Sequence, residues 1–294
     1  MPHLGEALSI LCAIFWAFAV IFFRKSGETV HPLALNVFKN SLAIGLFIIT
    51  SLVLGQALLP FFPFKIYLLF ILSGALGIAL GDTLFFNSLN RLGAGLTGIV
   101  TCMYSPFIIT MSVVILGETL TILQIIGALL IIAAVLIATY EKEKRKIEPK
   151  QLFLGVLLGV LSSLATAVGV IMIKPLMNTY PLLWLTEIRL LGGIVALIIV
   201  LLFYPKRNMV INSLIQTHGW IYTIIGSFFG AFLAMFVWLA GFKYTQASIA
   251  SALHETSTIF IFIFAALILK EPINLRRIIG IILAFIGSFL VSFG

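Results

Sequence analysis

His254 and Glu255 stand side by side within the long apolar run "SIASALHETSTIFIFIFAALIL". An imidazole and a carboxylate in such a setting can both change protonation near neutral pH, and either can hold a substrate amine. Counted from the start of the run, Glu255 is roughly 13 Å deep at about 1.5 Å per residue, close to the middle of a bilayer. Neighbours on a helix point about 100° apart, so one of the two is expected to face any given cavity. Interhelical hydrogen bonding is the plainer alternative for both. Thr101, Tyr104, Ser105 and Ser257 belong to the same candidate substrate-binding set, as do Trp16, Ser163 and Thr166 in other apolar runs. Pro106 follows Ser105 and removes a backbone donor, freeing a carbonyl for a ligand or water. Ser162, Ser163 and Thr166 could line a cavity, although bonding back to their own helix is commoner. Trp238 is placed nearer an interface than the middle.

A second group of ionisable residues also interrupts apolar sequence: Lys39, Asp82, Glu187 and Arg189. A charge at the centre of a membrane helix costs roughly 2.5–3.5 kcal/mol on insertion scales, so it needs a partner or a wet cavity. Lys39 and Asp82 fall at compatible depths and are expected to pair, or to form a gate network with Asn36, Asn40 and Asn87. A purely structural pair, or a lysine that snorkels, is the alternative. Glu187 and Arg189, two residues apart, do not share a helix face. Their expected partners lie on other elements, with Lys174 and Glu255 as the candidates. Glu255 thus enters both the substrate-binding and the proton-coupling sets.

These residues need a frame of membrane helices. Of the 294 residues, 62% are hydrophobic and only 10% are charged, against roughly 25% charged in a soluble domain. Apolar runs of membrane-spanning length lie near 5–23, 34–54, 66–88, 95–117, 120–139, 151–173, 182–204, 219–241, 246–269 and 273–293. They are too long for barrel strands and do not alternate. Residues 7–23 read as a retained helix, since no basic leader or small-residue cleavage site accompanies them. The expected fold is an all-α membrane protein of ten transmembrane helices around a central cavity.

The chain also repeats itself. "LGETLTILQIIGALLIIAAVLI" at 116–137 matches "LKEPINLRRIIGIILAFIGSFL" at 269–290, placing Glu118 over Glu271 and Gln124 over Arg277. Lys39 corresponds to Arg189, and Thr101 to Tyr104 correspond to His254 to Ser257. The expected organisation is residues 1–140 as a first five-helix half, 141–150 as a charged linker and 151–294 as a second half. An odd number of spans per half inverts the second copy, and inverted pairs commonly form a solute site near the midplane. Stripes of small residues, Gly74, Gly77 and Gly81, then Gly155 and Gly159, then Gly226 and Gly230, mark close helix contacts.

Thirteen basic residues fall on loops of one side and three on the other, with Lys39 and Arg189 inside spans. The positive-inside rule then predicts both termini outside and the 141–150 loop in the cytoplasm of a multi-pass cell-membrane protein. The net charge of +8 is explained by those loops. No basic stripe with interleaved aromatics supports nucleic-acid binding. Cys12 and Cys102 sit in apolar runs and read as packing residues. No metal-ligand pattern, no HExxH and no phosphate-binding glycine loop occurs. Enzymatic chemistry, a cofactor and direct use of ATP are therefore not expected.

Two five-span repeats, basic residues early in spans 2 and 7 (Lys39, Arg189), and the "LGETLT…" and "LKEPIN…" segments that close each half resemble the drug/metabolite transporter superfamily, EamA type. The resemblance covers essentially the whole chain. It implies a ten-helix bundle with a central cavity that exports or imports amino acids, other metabolites or toxic compounds. It also implies cytoplasmic termini and a basic loop between spans 2 and 3, whereas the segment from Gly55 to Lys65 here is nearly uncharged. The combined expectation is secondary active transport of a small polar metabolite by alternating access, with protons as the candidate coupling ion. Transport of a lipid-linked or sugar-phosphate substrate on the same fold is the alternative. The expected partners are the solute and the lipid bilayer, with the chain a monomer or homodimer.

Overall fold

The computed structural model describes residues 3–56, 62–117, 119, 121–139, 147–271 and 275–293. Glu118 and most of the charged linker, 140–146, lie outside the described residues. Among the described residues the chain is helical and contains no strand. The long helices are α1 (Leu4–Ser26), α2 (Pro32–Val53), α3 (Phe64–Leu92), α4 (Ala94–Leu116) and α5 (Ile122–Thr139) in the first half. In the second half they are α6 (Pro149–Leu176), α7 (Leu182–Phe203), α8 (Trp220–Tyr244), α9 (Ala247–Ile268) and α10 (Leu275–Phe293). Among the described residues, eight of these are long and apolar enough to cross a membrane. A short helix, Arg207–Ile215, connects α7 to α8.

Local chemistry sets the boundaries. α2 starts on Pro32, whose missing N–H costs nothing in a first turn, and the Leu33 N–H donates to Nδ1 of the capping His31 at 3.2 Å. α3 ends where Gly93 takes φ 80°, a conformation that side chains with a Cβ resist. The outward faces carry exposed Ile49, Leu52, Phe153, Leu202 and Leu267, a surface that lipid satisfies and water does not.

Two irregularities recur in both halves. α3 widens to a π-type turn over Ala75–Gly81, and α8 does so over Phe228–Ala234, 153 positions later. α4 breaks between Ala94–Thr101 and Tyr104–Met111, and α9 breaks between Ala247–His254 and Ser257–Ile268, with starts again offset by 153. In α4 the break has a covalent cause. Pro106 cannot donate to the Cys102 carbonyl, which accepts instead from the Ser105 N–H at 3.2 Å. α9 keeps its break without proline, through tight bonds such as Thr258 N–H to Glu255 O at 3.0 Å.

Contacts also recur when the halves are exchanged. Gly226 and Gly230 of α8 let Phe23 of α1 approach, while Gly81 of α3 lies against Thr166 of α6. α2 packs on α7, and α5 on α10, where Gly287 faces the Gly127 carbonyl. Between α3 and α7, Gly74 sits directly on the Arg189 carbonyl. Small residues thus bring backbones together where lipid offers no hydrophobic drive between helices.

Candidate functional site

α1, α3, α4, α6, α8 and α9 enclose a cavity of about 120 Å³. Cys12 and Trp16 reach it from α1, Asp82 and Phe85 from α3, and Thr101 and Tyr104 from α4. Ser162, Ser163 and Thr166 come from α6, and Met235 and Trp238 from α8. His254, Glu255 and Ser257 come from the break in α9. The interrupted helices α4 and α9 therefore turn their breaks toward the same hollow. Both His254 and Glu255 reach it, because the break loosens the 100° separation that a regular helix would impose.

The Glu255 carboxyl is buried beside the Cys102 thiol and the Ser105 backbone N–H. Cys102 Sγ in turn lies 3.1 Å from Thr258 Oγ1. Nδ1 of His254 has no hydrogen-bond partner, and the Tyr104 hydroxyl is buried beside the Trp238 indole. Trp16 packs on Phe85 with ring centroids 5.4 Å apart, and Trp238 packs on Phe242 at 5.3 Å. Aromatic faces thus flank a small number of polar groups, the usual make-up of a small-solute site.

Of the sequence-selected substrate-binding residues, Ser105 alone does not line the cavity. It is sealed in the α4–α9 region with its hydroxyl unpaired. The α6 hydroxyls do not all bond back to their own helix. Ser162 Oγ donates to the Gly81 carbonyl at 2.7 Å and Ser163 Oγ to the Thr101 carbonyl at 3.3 Å, tying α6 to α3 and α4. Trp238 lies on the cavity wall rather than near an interface. Sequence reasoning did not single out Cys12 as a lining residue, nor Phe85 or Met235. The repeat offset of 153 carries Asp82 onto Met235, a signal that could have found it.

Lys39 Nζ donates to Asp82 Oδ2 at 2.6 Å and to Asn40 Oδ1 at 3.2 Å. Asn40 Nδ2 donates to Asn36 Oδ1 at 2.8 Å, and Asn36 Nδ2 to the Ile78 carbonyl at 2.9 Å. That carbonyl is in the π-type turn of α3, where regular pairing is disturbed. Asn87 stands apart from this network, because its amide donates to Thr83 O on its own helix at 2.8 Å. Lys39 is sealed from solvent, whereas Asp82 opens on the cavity.

Glu187 and Arg189 take neither of the partners considered from sequence. Ser51 Oγ of α2 donates to Glu187 Oε1 at 2.5 Å. Lys174 is occupied elsewhere, donating to the Phe242 and Thr245 carbonyls at the end of α8. Arg189 lies over the Trp238 ring, its guanidinium carbon 5.5 Å from the centroid.

A further carboxylate joins the halves at one end of the bundle. Glu271 Oε1 accepts from the Ala94 N–H at 2.7 Å and Oε2 from the Gly95 N–H at 3.0 Å, with Arg277 Nη1 3.8 Å from Oε2. A second-half residue thereby caps the first turn of α4, where amide groups lack helical partners. Among the described residues, no cluster of three His, Cys, Asp or Glu could hold a metal ion.

A helical bundle with lipid-compatible walls and a polar hollow at its centre defines a multi-pass membrane transporter. The chain belongs to the EamA-like transporter family, whose pattern matches residues 3–140 and again residues 153–293. This family fits the drug/metabolite transporter superfamily that the sequence resembles. Two proteins of Archaeoglobus fulgidus, each described as an uncharacterized transporter, are 24% and 23% identical to it. They align over 97% and 96% of this chain and 96% of their own lengths. An uncharacterized transporter of Methanothermobacter thermautotrophicus is 24% identical, over 99% of this chain and 87% of its own. A solved crystal structure superposes with a TM-score of 0.76 at 15% identity, covering 98% of this chain and 96% of that one. That likeness concerns the fold.

Proposed function

We propose that the protein is a secondary transporter that carries a small polar organic solute, such as an amino acid or related metabolite, by alternating access. The observation that carries this reading is the convergence of six helices on one cavity into which the broken helix α9 presents Glu255. In this reading all ten long helices span the bilayer, and residues 1–140 and 151–294 form inverted halves joined by 141–150. The matched π-type turns and breaks support it, since equivalent weak points in both halves let each half rock in the same way.

Glu255 is the proposed proton-coupling group, with His254 beside it. Its carboxyl binds a proton when the cavity faces the more acidic side and releases it on the other. The ionisable groups around it are Asp82 of α3, Cys102 and Tyr104 of α4, and Arg189 of α7 behind Tyr104. The Lys39–Asp82 pair forms part of the gate. The solute sits among Trp16, Thr101, Tyr104, Ser163, Thr166, His254 and Ser257. The protein works as a monomer or homodimer in the cell membrane with both termini outside. A reporter fused after residue 294 that proves cytoplasmic would overturn that orientation.

The test uses purified protein in liposomes, a panel of isotope-labelled amino acids and related metabolites, and a pH gradient with and without a valinomycin potential. Glu255→Gln is expected to abolish gradient-driven uptake while leaving exchange of internal for external solute. Full activity with an unchanged pH response would remove Glu255 from the coupling step.

A further inference from the structure

We infer that the transported solute carries a carboxylate and that Arg189 receives it; this rests on the transport reading above and names the chemistry of its site. α2 and α7 are the same length and start 150 positions apart, which places Lys39 over Arg189. The π-type turns of α3 and α8 start 153 positions apart, which places Asp82 over Met235. In the first half the buried cation meets its carboxylate at 2.6 Å. In the second half a thioether stands at the corresponding place, and the cation has no acid.

Arg189 is 1% exposed, and neither Nε nor Nη1 has a hydrogen-bond partner. Glu187 is turned to Ser51, and Asp82 gives its hydrogen bond to Lys39 although its field reaches Arg189. The Trp238 face supplies a cation–π contact, which offsets part of the cost of a buried cation. Burying one ion costs more than that contact returns. The balance is met when an anion from outside occupies the empty position.

Access to that position is through the cavity wall. Trp238 and Met235 both line the cavity, so the guanidinium is one side-chain layer behind it. An unbranched thioether is the side chain best able to fold aside. The exposed fork of Arg189 then matches a carboxylate through two parallel N–H bonds. The Tyr104 hydroxyl, close to Arg189 and beside the Trp238 indole, keeps its O–H as a further donor. One spare positive charge suits a monoanion. A phosphate dianion would face Asp82 and Glu255 in the same hollow. Glu255, which also lines the cavity, is the group to hold an amine or hydroxyl at the solute's other end.

The experiment measures thermal stabilisation of the purified protein and its liposome exchange with four probes sharing one body: butyrate, butyramide, butylamine and 2-aminobutyrate. Inorganic phosphate is a fifth probe. The two acids are expected to bind at least about tenfold more tightly than butyramide and butylamine, because a buried donor pair left unmatched rejects the analogue. Met235→Asp supplies the missing internal carboxylate. It is expected to raise thermal stability while erasing the preference for acids over butyramide, and Arg189→Gln is expected to erase the same preference. Equal affinity for butyrate and butyramide, stronger response to phosphate than to butyrate, or an intact acid preference in Met235→Asp would each overturn the inference. Exchange of butylamine without acid preference would do so while leaving transport itself standing.

Discussion

Breaking the Lys39–Asp82 pair from either end should give unequal losses. At an effective dielectric of about 20, unit charges 2.6 Å apart attract by about 6 kcal/mol before desolvation is subtracted. Removing one partner of a buried pair generally costs about 3–5 kcal/mol, chiefly because the other charge is left bare. The two ends differ here: Lys39 is 2% exposed and Asp82 is 16% exposed at the cavity. Asp82→Asn leaves a sealed ammonium with neutral partners alone: the new amide, Asn40 and the Phe86 ring, which lies 5.8 Å from Nζ. A loss of about 4 kcal/mol is expected. Lys39→Met strands a carboxylate that cavity water can reach, and about 2 kcal/mol is expected. The double variant should cost less than the sum by at least about 1.5 kcal/mol, the mark of a direct coupling. Unfolding in mixed micelles titrated with SDS, followed by tryptophan fluorescence, gives all three values. Additive losses, or a larger loss for Lys39→Met than for Asp82→Asn, would refute the reasoning.

The remaining predictions concern the joints of the bundle. Glu271→Ala should destabilise by about 2 kcal/mol, since it removes a charged cap and its favourable field at a helix start. Hydrogen exchange should then quicken at Ala94 and Gly95 while α2 and α7 are unaffected, and unchanged exchange there would refute the cap. Gly74→Ala should disrupt folding, because its methyl would overlap the Arg189 carbonyl of α7. Gly45→Ala meets nothing within 4 Å and should be neutral or stabilising by about 0.5–1 kcal/mol. Equal expression and melting of the two variants would contradict the close α3–α7 contact.

The long helices were legible because each is a composition signal as well as a packing one. Where the apolar runs lie on described residues they fall on helices, eight of them long and apolar enough to cross a membrane, with ends displaced by a few residues at most. Depth counting puts Lys39 opposite Asp82 because both helices start at a membrane face and rise at a known rate. The same counting singles out Glu255, which lines the cavity. What it cannot supply is rotation about the helix axis. Ser105, one residue from Tyr104, is turned away from the cavity, and Asn87 is turned onto its own helix. Depth and hydropathy are blind to the π-type turns, which rotate Asp82 and Met235 relative to the residues before them. Nor does spacing disclose that the Glu of "LKEPIN" caps a helix in the opposite half, because that contact spans 177 positions.

That long-range cap has a bearing on how the chain is made. The Ala94 and Gly95 amides emerge from the ribosome well before the carboxylate that satisfies them, which follows 177 positions after Ala94. Until residue 271 has left the ribosome, the start of α4 can have only water, lipid headgroups or a helper protein as its stand-in. Insertion of the helices and final assembly of the bundle are thereby separated in time, and nascent chains stalled before residue 271 should be the ones that quality-control proteases find.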